Sequence, residues 1–178
     1  MTLKPEQVRA ICDTREQCPL DLSPLQTVTA TLATGDYSVK GLELVVAIER
    51  KSLSDLLGCV GRERARFDRE VQRLLAYPVR CLVVESTWSE IEAGNWRGEV
   101  TPAAALGSLL GWIAAGLPVL MCGDHQRAGR YVSRLLFTAA RRRWRENEQM
   151  TAQKKAPART RGSQPFFAPA PQSLKELT

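Results

Sequence analysis

Glu49, Arg50 and Lys51 close an apolar, β-branched run over residues 42–48 that reads as a central strand. In an extended chain alternate side chains share a face, so Glu49 and Lys51 point one way and Arg50 the other. A carboxylate beside an ammonium group at a strand end has a defined chemical use. The carboxylate holds a divalent cation, and the lysine neutralises a scissile phosphate or orients the attacking water. Phosphodiester hydrolysis needs these parts: a bound Mg²⁺ lowers the pKa of its water and screens phosphate oxygens. Mg²⁺ prefers oxygen ligands and takes only one or two carboxylates from a protein. Asp36 is placed to supply the second carboxylate from a neighbouring strand, with Gly35 permitting an unusual turn and close approach of a ligand. Asp55 lies on the first turn of the next helix, four residues past Lys51, and can return toward the site. Asp13-Thr14-Arg15-Glu16 follows the first strand and reaches the site from its other side.

The combination of Gly35-Asp36, Glu49-Arg50-Lys51-x-x-x-Asp55, Asp13-x-Arg15-Glu16 and Val83-Val84-Glu85 resembles the XPF-type structure-specific nucleases, over roughly residues 8–138. The resemblance implies a restriction-endonuclease-like fold, dependence on Mg²⁺ or Mn²⁺, and cleavage of DNA near junctions or flaps. It makes Asp36 and Glu49 the main metal ligands with Asp13 nearby, Lys51 the catalytic lysine, and Arg50 and Asp55 supporting residues. Large members of that family carry a helix-hairpin-helix module after the nuclease domain; here about forty residues follow the matched segment, so a minimal form is expected. Family nuclease domains often pair, which implies a homodimer or heterodimer.

Taken singly, each of these residues has a plainer role. Asp36 after glycine is most often a turn residue, Asp55 favours a helix N-terminus, and Arg15 with Glu16 makes a surface ion pair. The order and spacing of all of them together carry the nuclease expectation. Two alternatives stay open: a silent DNA-binding or scaffold subunit of the same fold, and a junction resolvase or restriction-type nuclease.

The elements that must position these groups follow from hydrophobic periodicity. Strands are expected at residues 8–12, 27–32, 37–39, 42–48, 79–84 and 117–122. The first three suggest a meander. Ser52 is a candidate N-cap for a short helix stopped at Gly58, and Phe67, Val71, Leu74 and Leu75 fall at helical spacing within residues 62–76. A short helix is expected at residues 87–93. Thr101-Pro102 opens a helix ended by Gly116, and a last helix runs from about Asp124 toward Trp144. This order predicts an α/β domain with a mixed central sheet and helices on its faces. Residues 1–145 read as the nuclease domain and 146–178 as a basic, Pro/Ala-rich flexible tail.

The net charge is +6, and residues 139–161, with eight basic residues against Glu146 and Glu148, account for all of it. A basic segment appended to a neutral domain suits a nucleic-acid partner, with Arg141, Arg142 and Arg143 as candidate contacts. Arg15, Arg62 and Arg66 are further candidates, the last two sharing a helix face beside the site. Trp96, in a polar loop, is the best candidate for base stacking. Five scattered cysteines and a single histidine exclude a paired Cys/His zinc site, and with no apolar span or secretory leader the expected setting is intracellular: cytoplasm and nucleoid, or nucleus.

Overall fold

Residues 2–155 are described by a computed structural model. After a 3-10 turn the order is β1 (Arg9–Asp13), β2 (Gln26–Ala30), β3 (Tyr37–Val39), β4 (Val46–Ser52), α1 (Leu53–Val60), α2 (Arg64–Leu75), β5 (Val79–Glu85), α3 (Trp88–Ala93), α4 (Pro102–Ala114), β6 (Val119–Met121) and α5 (His125–Lys155). One six-stranded mixed sheet has the order β2-β1-β3-β4-β5-β6. β1 and β2 are parallel, β3 is antiparallel to β1 and β4, and β4, β5 and β6 run parallel. The expected restriction-endonuclease-like sheet with flanking helices is the architecture found.

Burial explains where the strands sit. β1 is apolar on both faces, with Ala10, Ile11 and Cys12 buried, and takes an inner position. β2 is mostly polar and exposed, and takes the edge. The chain therefore crosses over through residues 14–25 and returns parallel to β1, which corrects the expected meander. One apolar cluster lies between the sheet and α5, including Val46, Ile48, Val83, Val132 and Leu136. The other lies under α1, α2, α3 and α4, including Ala47, Leu56, Phe67, Leu82, Leu109 and Trp112. Each fully buried aliphatic side chain contributes roughly 1.5–3 kcal/mol of transfer free energy to such layers.

Several boundaries differ from expectation. Residues 42–45 form a turn closed by Val45 and Val46 N–H groups donating to the Leu42 carbonyl, both at 2.9 Å, so β4 starts only at Val46. α1 continues through Gly58 because Gly61 supplies the C-cap, its N–H reaching Leu57 O. β6 spans only Val119–Met121, since Leu117 and Pro118 lead into it as connection. α5 passes Trp144 and the boundary expected at residue 145 to end at Lys155; the remaining tail, 156–178, lies outside the described residues. Among the described residues no helix is long and apolar enough to cross a membrane, and none of the five cysteines is in a disulfide.

Candidate active site

β4 delivers the chemistry. Its strand geometry extends through Glu49, Arg50 and Lys51 to Ser52, so the alternation expected from sequence holds. Glu49 and Lys51 lie on the α1–α2 side, where the Lys51 ammonium donates to Glu49 Oε1. Arg50 turns to the α5 side. The Lys51 ammonium also sits 5.5 Å from the centroid of the Phe67 ring, which packs edge-on against Trp112. Phe67 thus supports Lys51 from α2, a contact that sixteen residues of separation hide from sequence inspection.

Asp36 reaches the same place because of Gly35. That glycine has φ of +79°, and a Cβ there would lie 2.9 Å from the Ile48 carbonyl oxygen. The close approach is to the β4 backbone, not to a ligand as the sequence suggested. It lets Asp36 N–H donate to Ile48 O at 2.8 Å while Asp13 N–H donates to Asp36 O at 2.8 Å, stitching Asp36 between β1 and β4. Asp36 Oδ2 then accepts from the Arg50 backbone N–H at 2.8 Å. Burial pushes the Asp36 carboxyl up, against the pull of that N–H and of Lys51. Burial, and then the Asp36 charge, push Glu49 up to about 7 although Lys51 opposes both. Burial pulls the Lys51 ammonium down, but Glu49 and Asp36 outweigh it and leave the group above its ordinary value, hence charged.

Asp36 and Lys51 border a cleft of about 510 Å³ lined by Arg15, Glu16, Gln17, Cys18, Asp36, Arg50, Lys51, Ser52, Asp55 and Arg66, whereas Glu49 is buried and does not line it. Asp36 and Glu16 are partly buried in it beside Lys51 and Arg50, and Arg15 and Arg66 lie exposed at its rim. Asp55 stands at the mouth, where its carboxylate accepts from Ser52 Oγ at 2.7 Å and its N–H donates back to the same oxygen at 3.2 Å. It sits in the first turn of α1, which Ser52 caps, and faces solvent.

Other expected members are placed differently. Asp13 is nearly inaccessible, and both its oxygens are engaged. Oδ1 accepts from Arg15 N at 2.9 Å and Arg15 Nε at 2.6 Å, and Oδ2 from Arg15 Nη2 at 3.2 Å and Leu32 N at 2.6 Å. A carboxylate with four donors has no free lone pair for a metal. Burial raises the Asp13 carboxyl, but the Arg15 and Leu32 hydrogen bonds outweigh it and hold it below the usual range. Asp13 is a clasp that fixes Arg15 at the rim. Arg62 precedes α2 instead of sharing its face with Arg66, and lines a separate cleft with Arg97 and Gly98. Arg141, Arg142 and Arg143 follow His125 by four to five helical turns, at the sheet end opposite Lys51, where Arg142 and Arg143 flank Val45, Pro78 and Val79. Trp96 is tucked inward with Nε1 donating to Val100 O at 2.8 Å, which withdraws it from base stacking.

Behind the cleft is a network that sequence reasoning missed. Arg50 donates to Glu85 through Nε at 2.8 Å and Nη2 at 2.9 Å, and its Nη1 lies 3.5 Å from Glu16. His125 Nδ1 meets Glu85 Oε1 at 2.6 Å. Gly129 lets residues 18–25 cross α5 closely, since a Cβ there would lie 2.5 Å from Asp21 O, and Ser133 Oγ donates to Leu22 O at 2.8 Å. That crossing brings Glu16 and Cys18 to the network. The one legible signal was an acid, Glu85, ending an apolar strand.

A family model for the ERCC4 domain matches residues 11–135. XPF from Aeropyrum pernix is similar in structure, with a TM-score of 0.61 and 19% identity over 82% of this chain and 73% of that one. The structure of XPF from Aeropyrum pernix in complex with DNA gives 0.61 and 19% over 75% and 65%. No curated protein matches the chain in sequence.

Proposed function

The chain belongs to the ERCC4-domain family, with the fold of an XPF-type nuclease domain, and from that premise we propose that it is a metal-dependent DNA endonuclease acting near branched or flapped DNA. The observation that carries this reading is the meeting of Asp36, Glu49 and Lys51 at the end of β4, where Asp36 and Lys51 open onto a cleft with arginines at its rim.

The donor set suits Mg²⁺ or Mn²⁺. Among the described residues no three His, Cys, Asp or Glu side chains form a ready cage, and Mg²⁺ asks for only one or two carboxylates. The Asp36 charge adds to burial in raising the proton affinity of Glu49; a divalent cation held by the two carboxylates would remove that repulsion. When bound, the metal would supply a water of lowered pKa and screening of phosphate oxygens. Lys51, held charged by Glu49 and braced by Phe67, places a fixed positive charge where charge grows on the phosphate. Arg15 and Arg66 bind flanking phosphates, and Asp13 acts through Arg15. Arg50 acts through its backbone N–H on Asp36, and Asp55 through the start of α1.

Pairing of two copies is part of the same proposal. α4 carries no charged residue, and Leu110 and Ile113 on its outer side are 52% and 40% exposed. A helix apolar all round is usually covered, and a second copy of this face meets it without an unpaired charge.

The test is cleavage of duplex, single-stranded, flap, fork and four-way-junction DNA with Mg²⁺, Mn²⁺ or chelator. Branched substrates should be cut, and Asp36→Asn and Lys51→Met should each lower the rate by at least about 10²-fold with folding intact. Full activity in either variant removes that residue from the mechanism; no cleavage by the parent protein under any condition removes the enzyme.

A further inference from the structure

Residues 125–145 of α5 contain seven arginines and no acid. The inner face of the helix is defined by Ala128, Val132, Leu136, Ala139 and Ala140, all buried against the sheet. The opposite face carries Arg127, Arg130, Arg134, Arg141, Arg142 and Arg145, spaced to fall on one side of a 3.6-residue helix. All are exposed except Arg141, which is half-buried with its guanidinium 5.6 Å from the Phe137 ring centroid. Arg143 is turned off this stripe, toward the cleft beside Trp144 and Asn147.

A merely solvated face does not have this make-up. α2 shows what such a face looks like in the same molecule: its Arg64 pairs with Asp68, Arg66 with Glu63 and Arg73 with Glu70. Along the α5 stripe only Arg127 and Arg142 are paired, with Asp124 and Glu146, and off it Arg143 also meets Glu146. Arg130, Arg134, Arg141 and Arg145 have no acidic partner among the described residues. Like charges three and four residues apart disfavour a helix, so the stripe carries a standing cost that an anionic ligand removes. All the cations are arginines, whose planar fork matches phosphate oxygens two at a time. Exposed Tyr131 lies among them.

The stripe also has a useful place. α5 begins at His125, bonded to Glu85, which is bonded to Arg50 at the edge of the cleft. From Arg127 to Arg145 the helix rises about 27 Å, roughly the length of eight base pairs. We infer that the outer face of α5 is a track for the phosphate backbone of a duplex arm, running from the active-site cleft to the far end of the sheet. This rests on the nuclease reading, and it adds a second contact surface to the residues that border the cleft.

The experiment measures binding of flap DNA to the whole chain by fluorescence anisotropy in chelator, so that turnover plays no part. The variant is Arg130→Gln/Arg134→Gln/Arg141→Gln/Arg145→Gln, with its fold checked by circular dichroism. Four lost phosphate contacts should lower the slope of log affinity against log salt by about 3–4. The parent protein should gain affinity as the arm is lengthened to about eight base pairs, and the variant should not. The matching fourfold Arg→Lys variant should recover most of the slope, and Lys40→Gln, which removes one exposed charge elsewhere, should leave the arm-length dependence intact. An unchanged slope and length dependence overturn the inference, as does loss of binding to vesicles of anionic lipid with DNA affinity intact. A parent protein that binds the arm but cuts nothing sinks the nuclease reading alone. A variant that behaves as the parent, while the parent cuts, sinks the track alone.

Discussion

Replacing Arg50 by alanine tests the network behind the cleft. Its guanidinium holds Glu85 through two hydrogen bonds at 2.8 and 2.9 Å and lies 3.5 Å from Glu16, and the three side chains are only 10%, 11% and 6% exposed. Two unit charges about 4 Å apart attract by roughly 4 kcal/mol at an effective dielectric near 20, and removing one member of a buried pair typically costs about 3–5 kcal/mol because the other is left unpaired. Two carboxylates would lose their guanidinium, but Glu85 keeps His125 at 2.6 Å and Glu16 keeps the Cys18 N–H at 2.8 Å. The expected loss is therefore near the lower end, about 3 kcal/mol. With an m-value of ~1–3 kcal/mol per molar urea, the midpoint should fall by roughly 1–3 M. Glu85→Gln should cost less, since Arg50 keeps Glu16. Arg50→Met combined with Glu85→Gln should cost less than the sum of its parts, with a coupling of about 1–3 kcal/mol. Urea titration followed by tryptophan fluorescence reads all of these. A loss below about 1 kcal/mol in Arg50→Ala, at unchanged m, would refute the idea that this pair holds the strand end.

Two further outcomes follow from the same geometry. Burial raises Glu85, but the Arg50 and His125 hydrogen bonds outweigh it and hold its folded pKa below the ordinary 4.5; Asp13 is likewise held low. Their stabilisation is therefore full above ordinary carboxylate values and lost as pH falls through the lower folded ones. Urea midpoints should drop in acid below about pH 4.5, and more shallowly in Glu85→Gln. On α4, Leu110→Glu should turn a dimer into a monomer by sedimentation equilibrium without changing the melting temperature, because Leu110 is half-exposed; a parent protein monomeric at every concentration would remove the pairing.

How far the sequence reached depends on the distance over which each interaction acts. Glu49 and Lys51 were legible because strand alternation is local, and β4 does run through them. Ser52 and Thr101 announced their helices because a cap and the N–H it accepts from lie three residues apart. The two-faced core followed from periodicity alone. The failures are non-local. β2 reads as a hairpin partner until one sees that β1 is buried on both faces and must be flanked on both sides. Asp13 looks like a ligand until Leu32, nineteen residues on, and Arg15 fill its lone pairs. Arg62 and Arg66 look like one face until α2 is found to begin between them.

The arginines of α5 show why composition misleads about place. Charge counting located the positive excess correctly and attached it to the tail, yet Arg127, Arg130 and Arg134 were hidden, because acids elsewhere in residues 1–138 cancel them in the sum. A sum over a segment ignores which face a charge occupies. Once α5 is wound against the sheet, its outer side, free of acids as far as Arg145, joins those three to Arg141, Arg142 and Arg145 in one line, and sets Arg143 apart from neighbours it touches in sequence. The cleft at one end of that helix and the arginine cluster at the other are then not rival candidates for a DNA contact. On the proposed track a duplex arm of about eight base pairs would span both, so the cost of keeping like charges aligned on α5 and the cost of holding Glu49 near the Asp36 charge would each be relieved by one half of a metal-loaded DNA complex.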